Sequence, residues 1–373
     1  MGKKLATSYG MDQKYLVINI GSASKKCGLY EGQRELCGVH MEKTSAGYIS
    51  TVTVGDDRQD VQITEADYDD VGAYVVRLAG EKNIAKINNI TKIGVRIVAP
   101  GVFFQEDKVI DDAYIAKLTE AQEMAPLHIT PVLEELNKIK SWAGDVLLWG
   151  ISDSAFYKDI PREAKLYGLP KELAEKYEIY RYGYHGISMS SVLSSVQKLQ
   201  VNVPDRMIIC HLGSGTSITA LKNGQPVDTS MGFTPLEGVP MGSRVGNIDA
   251  AAVLYLLKKS GMDASTLESM LYTESGLLGL SGKTQFVKEL IELEKAGDTL
   301  AGEALTVFAR AIKKYIGAYS ALLGGLDLLV FTATIGERSE YMRAKITTGL
   351  EYLNTKILVI PIDEMAEMAK RCV

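Results

Sequence analysis

Two stretches of this 373-residue chain decide its fold, "LVINIGSASKKCGLYEGQ" at residues 16–33 and "IICHLGSGTSITALKNGQ" at residues 208–225. Aligned without a gap, they place Gly21 on Gly213, and both end at Gly-Gln. Each stretch has an apolar run, a Gly-Ser turn and a second run, which is the pattern of two strands joined by a tight turn. Backbone N–H groups at such a turn can bind phosphate oxygens. The pair therefore predicts two similar domains that face one cleft and each offer a turn to one ligand.

The length and composition indicate a globular protein of two domains. A chain of 373 residues exceeds what one hydrophobic core usually supports, and 46% apolar residues is ordinary for globular proteins. The net charge of −5 gives no reason to expect nucleic acid or an anionic membrane as a partner, and no apolar run is long enough to span a membrane. The four cysteines form no CxxC pair, so we expect reduced thiols and a cytoplasmic location.

The pattern of strands and helices divides into two α/β halves. In the first half, "INNITKIGVRIVAP" and "DVLLWGISDS" have the composition of buried strands, and a helical stretch from about Asp111 to Lys140 separates them. In the second half, several helical stretches precede the strand in "LDLLVFTATIG". We therefore expect an α/β fold with domains at residues 1–160 and 161–361. A C-terminal helix over residues 362–373 is expected to pack back on the first domain.

Five polar side chains stand out as candidates for chemistry. Arg96 is flanked by apolar residues in "IGVRIVAPG", and Arg244 lies between glycines in "PMGSRVGNID". A guanidinium has a planar fork suited to carboxylate and phosphate groups, and a buried one needs an anionic partner. A single such residue is more often structural than catalytic. Together with His185, Asp153 and Glu364, however, the two arginines form the set of cationic clamps and metal ligands that phosphoryl transfer requires.

The motifs of the chain resemble those of the acetate kinase family. In chain order they are "LVINIGSAS", "APLH", "ISDSAFY", "YRYGYHGIS", "CHLGSGTS", "VDTSMGFTPLEGVPMGSRVGNID", "SGLLGLSG", "LDLLVFTATIGE" and "VIPIDE". The stretch "DTSMGFTPLEG" is the most specific of them, and the resemblance covers nearly the whole chain. It implies the sugar kinase, actin and heat-shock chaperone superfold, in which two duplicated α/β domains surround a central cleft and bind a nucleotide.

The resemblance also implies site residues. Arg96 and Arg244 would clamp carboxylate and phosphoryl oxygens, His185 would donate to the phosphoryl group, and Asp153 would help to orient Mg²⁺, which Asn19 and Glu364 would hold. The implied phosphate-binding set is Asn19, Ser22, Ser24, Lys26, His211, Gly213, Ser214 and Gly215. The implied nucleotide-binding set is Thr334, Ile335, Gly336, Glu337 and Arg338. A small apolar pocket for the acid would be lined by Val98, Leu127, Tyr184 and Pro235.

The activity implied is a reversible, Mg²⁺-dependent phosphoryl transfer between ATP and the carboxylate of a short-chain acid, giving an acyl phosphate and ADP. Acetate is the first candidate, with propionate or butyrate as alternatives. Family members are commonly homodimers that pair through the second domain, so a homodimer is expected.

Two departures from the family motifs leave alternative functions open. Thr334 stands where the family has glycine and Arg338 where it has asparagine, so GTP or pyrophosphate remains an alternative donor. A non-catalytic nucleotide-binding protein on the same scaffold is the alternative from another class. The retained residues on the acid side argue against it, since a binding module does not need them.

Overall fold

A computed structural model describes residues 13–21, 24–44, 47–199 and 203–373. The chain divides into two units, the first formed by Met1–Ala155 with Asp363–Val373 and the second by Phe156–Ile362. Among the helices of the described residues, none has the length and apolar character needed to cross a membrane.

Both units contain strands and helices. The strands are β1 (Lys14–Ile20), β2 (Ser24–Glu31), β3 (Arg34–Thr44), β4 (Gly47–Val54), β5 (Asp57–Ile63), β6 (Ile90–Ile97), β7 (Lys108–Val109), β8 (Leu147–Ser152), β9 (Arg206–Leu212), β10 (Thr216–Lys222), β11 (Gln225–Thr229), β12 (Leu328–Thr332) and β13 (Lys356–Val359). The helices are α1 (Glu65–Asp69), α2 (Val71–Glu81), α3 (Asp112–Ala121), α4 (Pro126–Trp142), α5 (Arg162–Lys165), α6 (Lys171–Lys176), α7 (Gly186–Leu199), α8 (Ala250–Lys259), α9 (Ala264–Thr273), α10 (Gly276–Ser281), α11 (Val287–Lys295), α12 (Thr299–Leu323), α13 (Ala333–Arg338), α14 (Glu340–Thr347) and α15 (Glu364–Cys372).

The sheets of the two units share one strand order. The first sheet contains the run β3-β2-β1-β6-β8, and the second sheet is β11-β10-β9-β12-β13. In both runs the first three strands are antiparallel, and the remaining strands join in parallel. The first sheet adds β4 and β5 at one edge and β7 at the other. The repeated order confirms the duplicated α/β architecture expected from the twin hairpins.

The hairpins β1–β2 and β9–β10 differ by one residue in the turn. In the first, Ile20 pairs with Lys25, whereas in the second Leu212 pairs with Thr216. The second turn is therefore one residue shorter. The ungapped alignment of the two returning strands was wrong by one residue, and a one-residue offset exchanges the two faces of a strand.

A shared irregularity farther along the hairpins supports the corrected correspondence. In the β2–β3 pair, Leu29 is opposite Cys37 and Tyr30 is opposite Glu35, so the register skips Leu36. In the β10–β11 pair, Ala220 is opposite Asp228 and Leu221 is opposite Pro226, so the register skips Val227. A β-bulge at the same place in both hairpins is a feature of the backbone that the residue letters do not show.

Helices cover both faces of the first sheet. Helix α2 packs on one face, where a methyl group at Gly72 would lie 3.0 Å from the Cδ1 of Ile18. Helix α15 packs on the other face, across β1, β6 and β8. There a methyl group at Gly94 of β6 would lie 2.6 Å from the Sγ of Cys372. Close approach of the helix thus requires glycine in the strand.

The second unit is organised around the long helix α12. Its N-cap Asp298 accepts a hydrogen bond from the N–H of Ala301, and its C-cap Gly324 has a φ of +74°. Phe308 and Ile312 of this helix are fully buried against the sheet. Helix α7 contributes to a separate core cluster that also includes β13-flanking residues. The helices expected in this half are confirmed.

Candidate active site

Three candidate residues of the first unit lie at one edge of its sheet. Asn19 is near the end of β1, Arg96 is near the end of β6, and Asp153 directly follows β8. These strands are parallel, so their carboxyl ends meet at the same edge. Glu364 is the first residue of α15, which packs across the same strands. The topology therefore brings together residues that are far apart in the sequence.

These four side chains form one hydrogen-bonded network. The Nη2 of Arg96 donates to the Oδ2 of Asp153 at 2.9 Å, and its Nη1 donates to the Oδ1 of Asn19 at 3.2 Å. The Nδ2 of Asn19 donates to the Oε2 of Glu364 at 2.9 Å. The same carboxylate oxygen lies 3.8 Å from the Nη1 of Arg96. Asp153 is fully buried and Asn19 is nearly so.

The charges of this network do not balance. Burial by itself lowers the pKa of Arg96, but Asp153 and Glu364 outweigh it and raise the pKa above its ordinary value. One guanidinium thus faces two carboxylates, which leaves a net negative charge in a buried place. The Nε of Arg96 is buried and has no hydrogen-bond partner among the residues that the structure describes. The network can accept a cation and still offers one N–H donor.

The donor atoms of the network suit Mg²⁺. In the part of the chain that the structure describes, no group of three or more His, Cys, Asp and Glu residues is placed to hold a metal. Mg²⁺ is, however, usually bound through one or two carboxylates together with waters and substrate phosphates. The carboxylate of Glu364 and the amide oxygen of Asn19 are hard oxygen donors of this kind. The site fits a magnesium ion that shares its coordination with a phosphate.

The remaining candidates of the first unit lie around this network without joining it. Lys26 is directly opposite Asn19 in the β1–β2 register, and Ser24 begins β2. Among the described residues, no side-chain hydrogen bond or ion pair links either one to the network. Val98 is half-buried after β6, and Leu127 in the first turn of α4 is 47% exposed. Ser22 lies outside the described residues.

In the second unit, His185 is held by a neighbouring strand. Its Nδ1 lies 3.0 Å from the Oγ of Ser217 in β10, and its ring stacks on His211 with 4.1 Å between the centroids. His185 has a φ of +64°, in the left-handed region that non-glycine residues rarely occupy. Backbone strain of this kind clusters at functional sites. The sequence interpretation missed Ser217, although it follows directly on the "GSGT" turn.

Glycines of the second hairpin allow close backbone approach to these rings. A methyl group at Gly215 would lie 3.1 Å from the Nε2 of His185. One at Gly213 would lie 3.3 Å from the carbonyl oxygen of Gly215 and 3.6 Å from the Cβ of Ala333. Ser214 between them is exposed. The hairpin turn is thus closely packed on the protein side, and its central side chain is directed away from that packing.

The implied nucleotide segment forms the short helix α13 directly after β12. Ala333, its first residue, has a φ of +63°, and Thr334 and Arg338 are exposed. Gly336 is buried, with a methyl group there 3.6 Å from the carbonyl oxygen of Cys210. Ile335 packs on the core, and Glu337 accepts a hydrogen bond from the N–H of Ile362 at 3.4 Å. Thr334 and Arg338 are therefore the members of this set whose side chains face solvent most fully.

The Arg244 turn is shaped by the motif "SGLLGLSG". The N–H of Met241 donates to the carbonyl oxygen of Arg244 at 2.9 Å, and the N–H of Ser275 donates to that of Ser243 at 2.9 Å. Gly276 has a φ of +60°, and a methyl group there would lie 2.2 Å from the carbonyl oxygen of Met241. The Nη1 of Arg244 donates to the carbonyl oxygen of Pro235 at 3.3 Å. Glycine at position 276 is thus required for the turn that presents Arg244.

The segment that contains Pro235 is held by residues that the sequence interpretation did not single out. Glu237 accepts a hydrogen bond from the hydroxyl of Tyr167 and pairs with the Nη1 of Arg181 at 2.7 Å. The Tyr167 oxygen accepts the N–H of Phe233 at 2.8 Å.

Tyr184 closes the same segment, because its hydroxyl donates to the carbonyl oxygen of Phe233 at 2.7 Å. Both Tyr184 and Pro235 are buried. Of the two pocket candidates of this unit, Pro235 thus lies in this segment and Tyr184 contacts it. Glu237 lies within the specific motif "DTSMGFTPLEG", which was the available signal for it.

Comparisons with known proteins identify the family that the chain resembles. The chain matches the Acetokinase family over residues 14–373. It is 35% identical to the acetate kinase of Bacillus cytotoxicus, with 96% of this chain and 97% of that protein covered. Crystal structures of acetate kinase from Porphyromonas gingivalis and of a propionate kinase from Francisella tularensis superpose with TM-scores of 0.82 and 0.86, each at 29% identity and over 96% of this chain and 98% of theirs. These matches confirm the expected fold class and the expected type of enzyme, a phosphotransferase with a carboxyl group as acceptor. The chain therefore belongs to the acetokinase family.

Proposed function

We propose that this protein catalyses reversible, Mg²⁺-dependent phosphoryl transfer between ATP and the carboxylate of a short-chain acid, with acetate as the preferred acid. The observation that carries the proposal is the buried network of Asn19, Arg96, Asp153 and Glu364. Burying three charged groups is costly and is weak evidence for stability. Such an arrangement is better explained by catalysis, and it argues against a protein that only binds nucleotide.

In the first unit, each member of the network has a proposed task. Arg96 would bind the oxygens of the acid and of the phosphoryl group, and Asp153 would fix the plane of its guanidinium. Asn19 and Glu364 would hold Mg²⁺, which neutralises phosphate charge when it is bound. Ser22, Ser24 and Lys26 would contact phosphate oxygens from the first hairpin.

In the second unit, His185 and Arg244 have the proposed catalytic tasks. The Nδ1 of His185 lies against Ser217 and its Nε2 lies on the side of Gly215. His185 would donate a hydrogen bond to the phosphoryl group. Arg244 would stabilise the charge that develops on the transferring oxygens. The hairpin residues His211, Gly213, Ser214 and Gly215 would face the nucleotide phosphates.

The size of the acid and the identity of the donor are proposed separately. Tyr184 and Pro235 are fixed and apolar, so together with Val98 and Leu127 they suit an acid of two or three carbons. The segment from Thr334 to Arg338 would lie beside adenosine. Because Thr334 and Arg338 are exposed there, a donor other than ATP, either GTP or pyrophosphate, is the second candidate.

A homodimer is also proposed, with the second unit as its contact surface. Helix α8 reads "AAAVLYLLKK", yet none of its residues is buried in the described chain. Leu254 is 55% exposed and Tyr255 is 62% exposed. An apolar helix left on the surface is typical of an interface, and a second copy of the chain is the occupant proposed here.

A cytoplasmic location is proposed from the cysteines. Cys27, Cys37, Cys210 and Cys372 are all buried and none forms a disulfide. Burial raises the pKa of Cys37 to about 11, so its thiol is unreactive at neutral pH. Cell fractionation with an antibody to the chain tests the location, and recovery outside the cytoplasmic fraction would contradict it.

The activity is tested by trapping acyl phosphate with hydroxylamine. The purified protein would be assayed with acetate, propionate and butyrate against ATP, GTP and pyrophosphate, with and without Mg²⁺. We expect acyl hydroxamate from acetate with ATP, dependent on Mg²⁺, and Arg244→Ala serves as the blank. Nucleotide binding without hydroxamate from any pair of substrates would show that the protein is not a kinase.

A further inference from the structure

Ser152, the residue that precedes Asp153, is held through the peptide groups on both of its sides. The N–H of Ser152 donates to the Oδ1 of Asp107 at 2.8 Å, and its carbonyl oxygen accepts from the Nη1 of Arg371 at 3.3 Å. Its hydroxyl donates to the carbonyl oxygen of Phe104. Every polar group of Ser152 therefore has a partner, and the residue is 1% exposed.

The constraint on Ser152 passes directly to Asp153. The N–H of Asp153 donates to the carbonyl oxygen of Ile97 at 2.9 Å, and its carboxylate accepts from Arg96 at 2.9 Å. A rotation of the preceding peptide would move both contacts. The orientation of the Asp153 carboxylate thus depends on the groups that hold Ser152.

Those groups belong to a partly buried ionic cluster. The Nη1 of Arg371 lies 3.8 Å from Asp107, and its Nε lies 3.7 Å from Glu367. Burial raises the pKa of Asp107 above its ordinary value, while Arg371 and the N–H of Ser152 oppose the rise. Arg371 therefore helps to keep the acceptor of the Ser152 N–H ionised, besides donating to the carbonyl oxygen itself.

Arg371 and Glu364 lie at opposite ends of α15. The helix has nine residues and so a length of about 13 Å at roughly 1.5 Å per residue. Its first residue accepts from Asn19, and its last turn donates to Ser152. One short rigid element thus contacts the catalytic network directly at one end and supports it at the other.

We propose that Arg371 is a positioning residue for phosphoryl transfer, which acts with Asp107 to fix Ser152 and through it the carboxylate of Asp153. The inference rests on the proposed function, because it assumes that Asp153 orients Arg96 during the reaction. Arg371 itself would touch no substrate. Its loss should change the rate of the chemical step more than the binding of either substrate.

The test compares Arg371→Ala with Arg371→Lys and with the neighbouring control Lys370→Ala, all in the full chain. Lys370 has a side chain that is 51% exposed and contacts Glu367 but not Ser152. Since a misplacement of about 1 Å can cost roughly 100-fold, Arg371→Ala should lower kcat about 10-fold to 100-fold. KM for acid and nucleotide should stay within about twofold. Lysine should restore part of the rate, since it can still donate to the carbonyl oxygen.

Hydrogen exchange at residues 147–154 gives a second measurement that does not depend on activity. Arg371→Ala should exchange faster than the parent at the end of β8, and Lys370→Ala should not. Unchanged exchange there, or a parent-like kcat in a folded Arg371→Ala protein, would overturn the inference. If Arg371→Ala exchanges faster but the parent forms no acyl phosphate, the proposed function is refuted, whereas the contact between Arg371 and Ser152 is supported.

Discussion

Replacing Arg96 should separate its electrostatic role from its geometric one. The side chain donates two hydrogen bonds, one of them to a carboxylate, and lies within 4 Å of a second carboxylate. Arg96→Lys keeps the charge but has only one nitrogen, so it loses the contact with either Asn19 or Asp153. A bond to a neutral group is worth about 0.5–1.5 kcal/mol and one to a charged group about 1.5–3 kcal/mol. We therefore expect Arg96→Lys to destabilise the protein by about 1–3 kcal/mol.

Arg96→Met should be much more damaging. It leaves Asp153, which is fully buried, and Glu364, whose side chain is 11% exposed, without their shared cation. Removing one partner of a buried ion pair costs about 3–5 kcal/mol. At about 2–4 °C per kcal/mol for a unit of this size, the melting temperature should fall by about 6–20 °C. The double variant Arg96→Met with Asp153→Asn should recover part of that loss but no activity.

Calorimetric scans at neutral pH together with the hydroxamate assay would measure both effects. Arg34→Lys, an exposed position in β3, is the matched control and should change neither. Turnover should fall roughly 100-fold or more in Arg96→Lys, the size of effect seen when one transition-state donor is removed. An Arg96→Met protein that melts within a degree of the parent and keeps its turnover would refute the assignment of this network.

Three further changes test separate features. Thr334→Gly should lower KM for ATP, by roughly 10-fold to 200-fold at most, with little change in kcat, because it removes a β-branched side chain beside the proposed adenosine site. An unchanged KM would show that Thr334 does not crowd the base. Glu135 is 1% exposed, and burial raises its pKa although Lys25 opposes the rise. The folded state therefore favours the protonated carboxyl group. Its contribution to stability is present at low pH and is lost as the pH rises through the raised pKa. Between pH 5 and pH 8, the melting temperature of Glu135→Gln should consequently fall less than that of the parent or of the exposed control Glu134→Gln. An equal fall in all three proteins would contradict this. Leu254→Glu on α8 should convert a dimer to a monomer in light scattering, whereas a parent that is already monomeric would rule out the interface.

Much of the candidate site could be predicted because its residues lie in short specific motifs. Arg96, Asp153 and Glu364 were found from isolated stretches, and the parallel order of β1, β6 and β8 explains why their ends meet. The supporting residues could not be found in this way. Ser217, Asp107 and Arg371 contact side chains or peptide groups that are distant in the sequence.

The hairpins show a second limit of sequence comparison. Their glycines align without a gap, but the turn that begins at Gly21 holds one residue more than the turn that begins at Gly213. Strand register is set by pairing across the sheet, so it cannot be predicted from the sequence of one strand alone. The bulges opposite β2 and β10 support the correspondence that the turns indicate.

The place of α15 in the chain has a consequence for synthesis. This helix covers one face of the first sheet, yet roughly 200 residues of the second unit are made between β8 and the helix. At about 5–20 residues per second, translation of that insert takes roughly 10–40 s. During this time Val17 and Gly94, which the helix will cover, face solvent or a chaperone. The nascent first unit therefore exposes an apolar surface, and the network of Asn19, Arg96, Asp153 and Glu364 can assemble only after the second unit has left the ribosome.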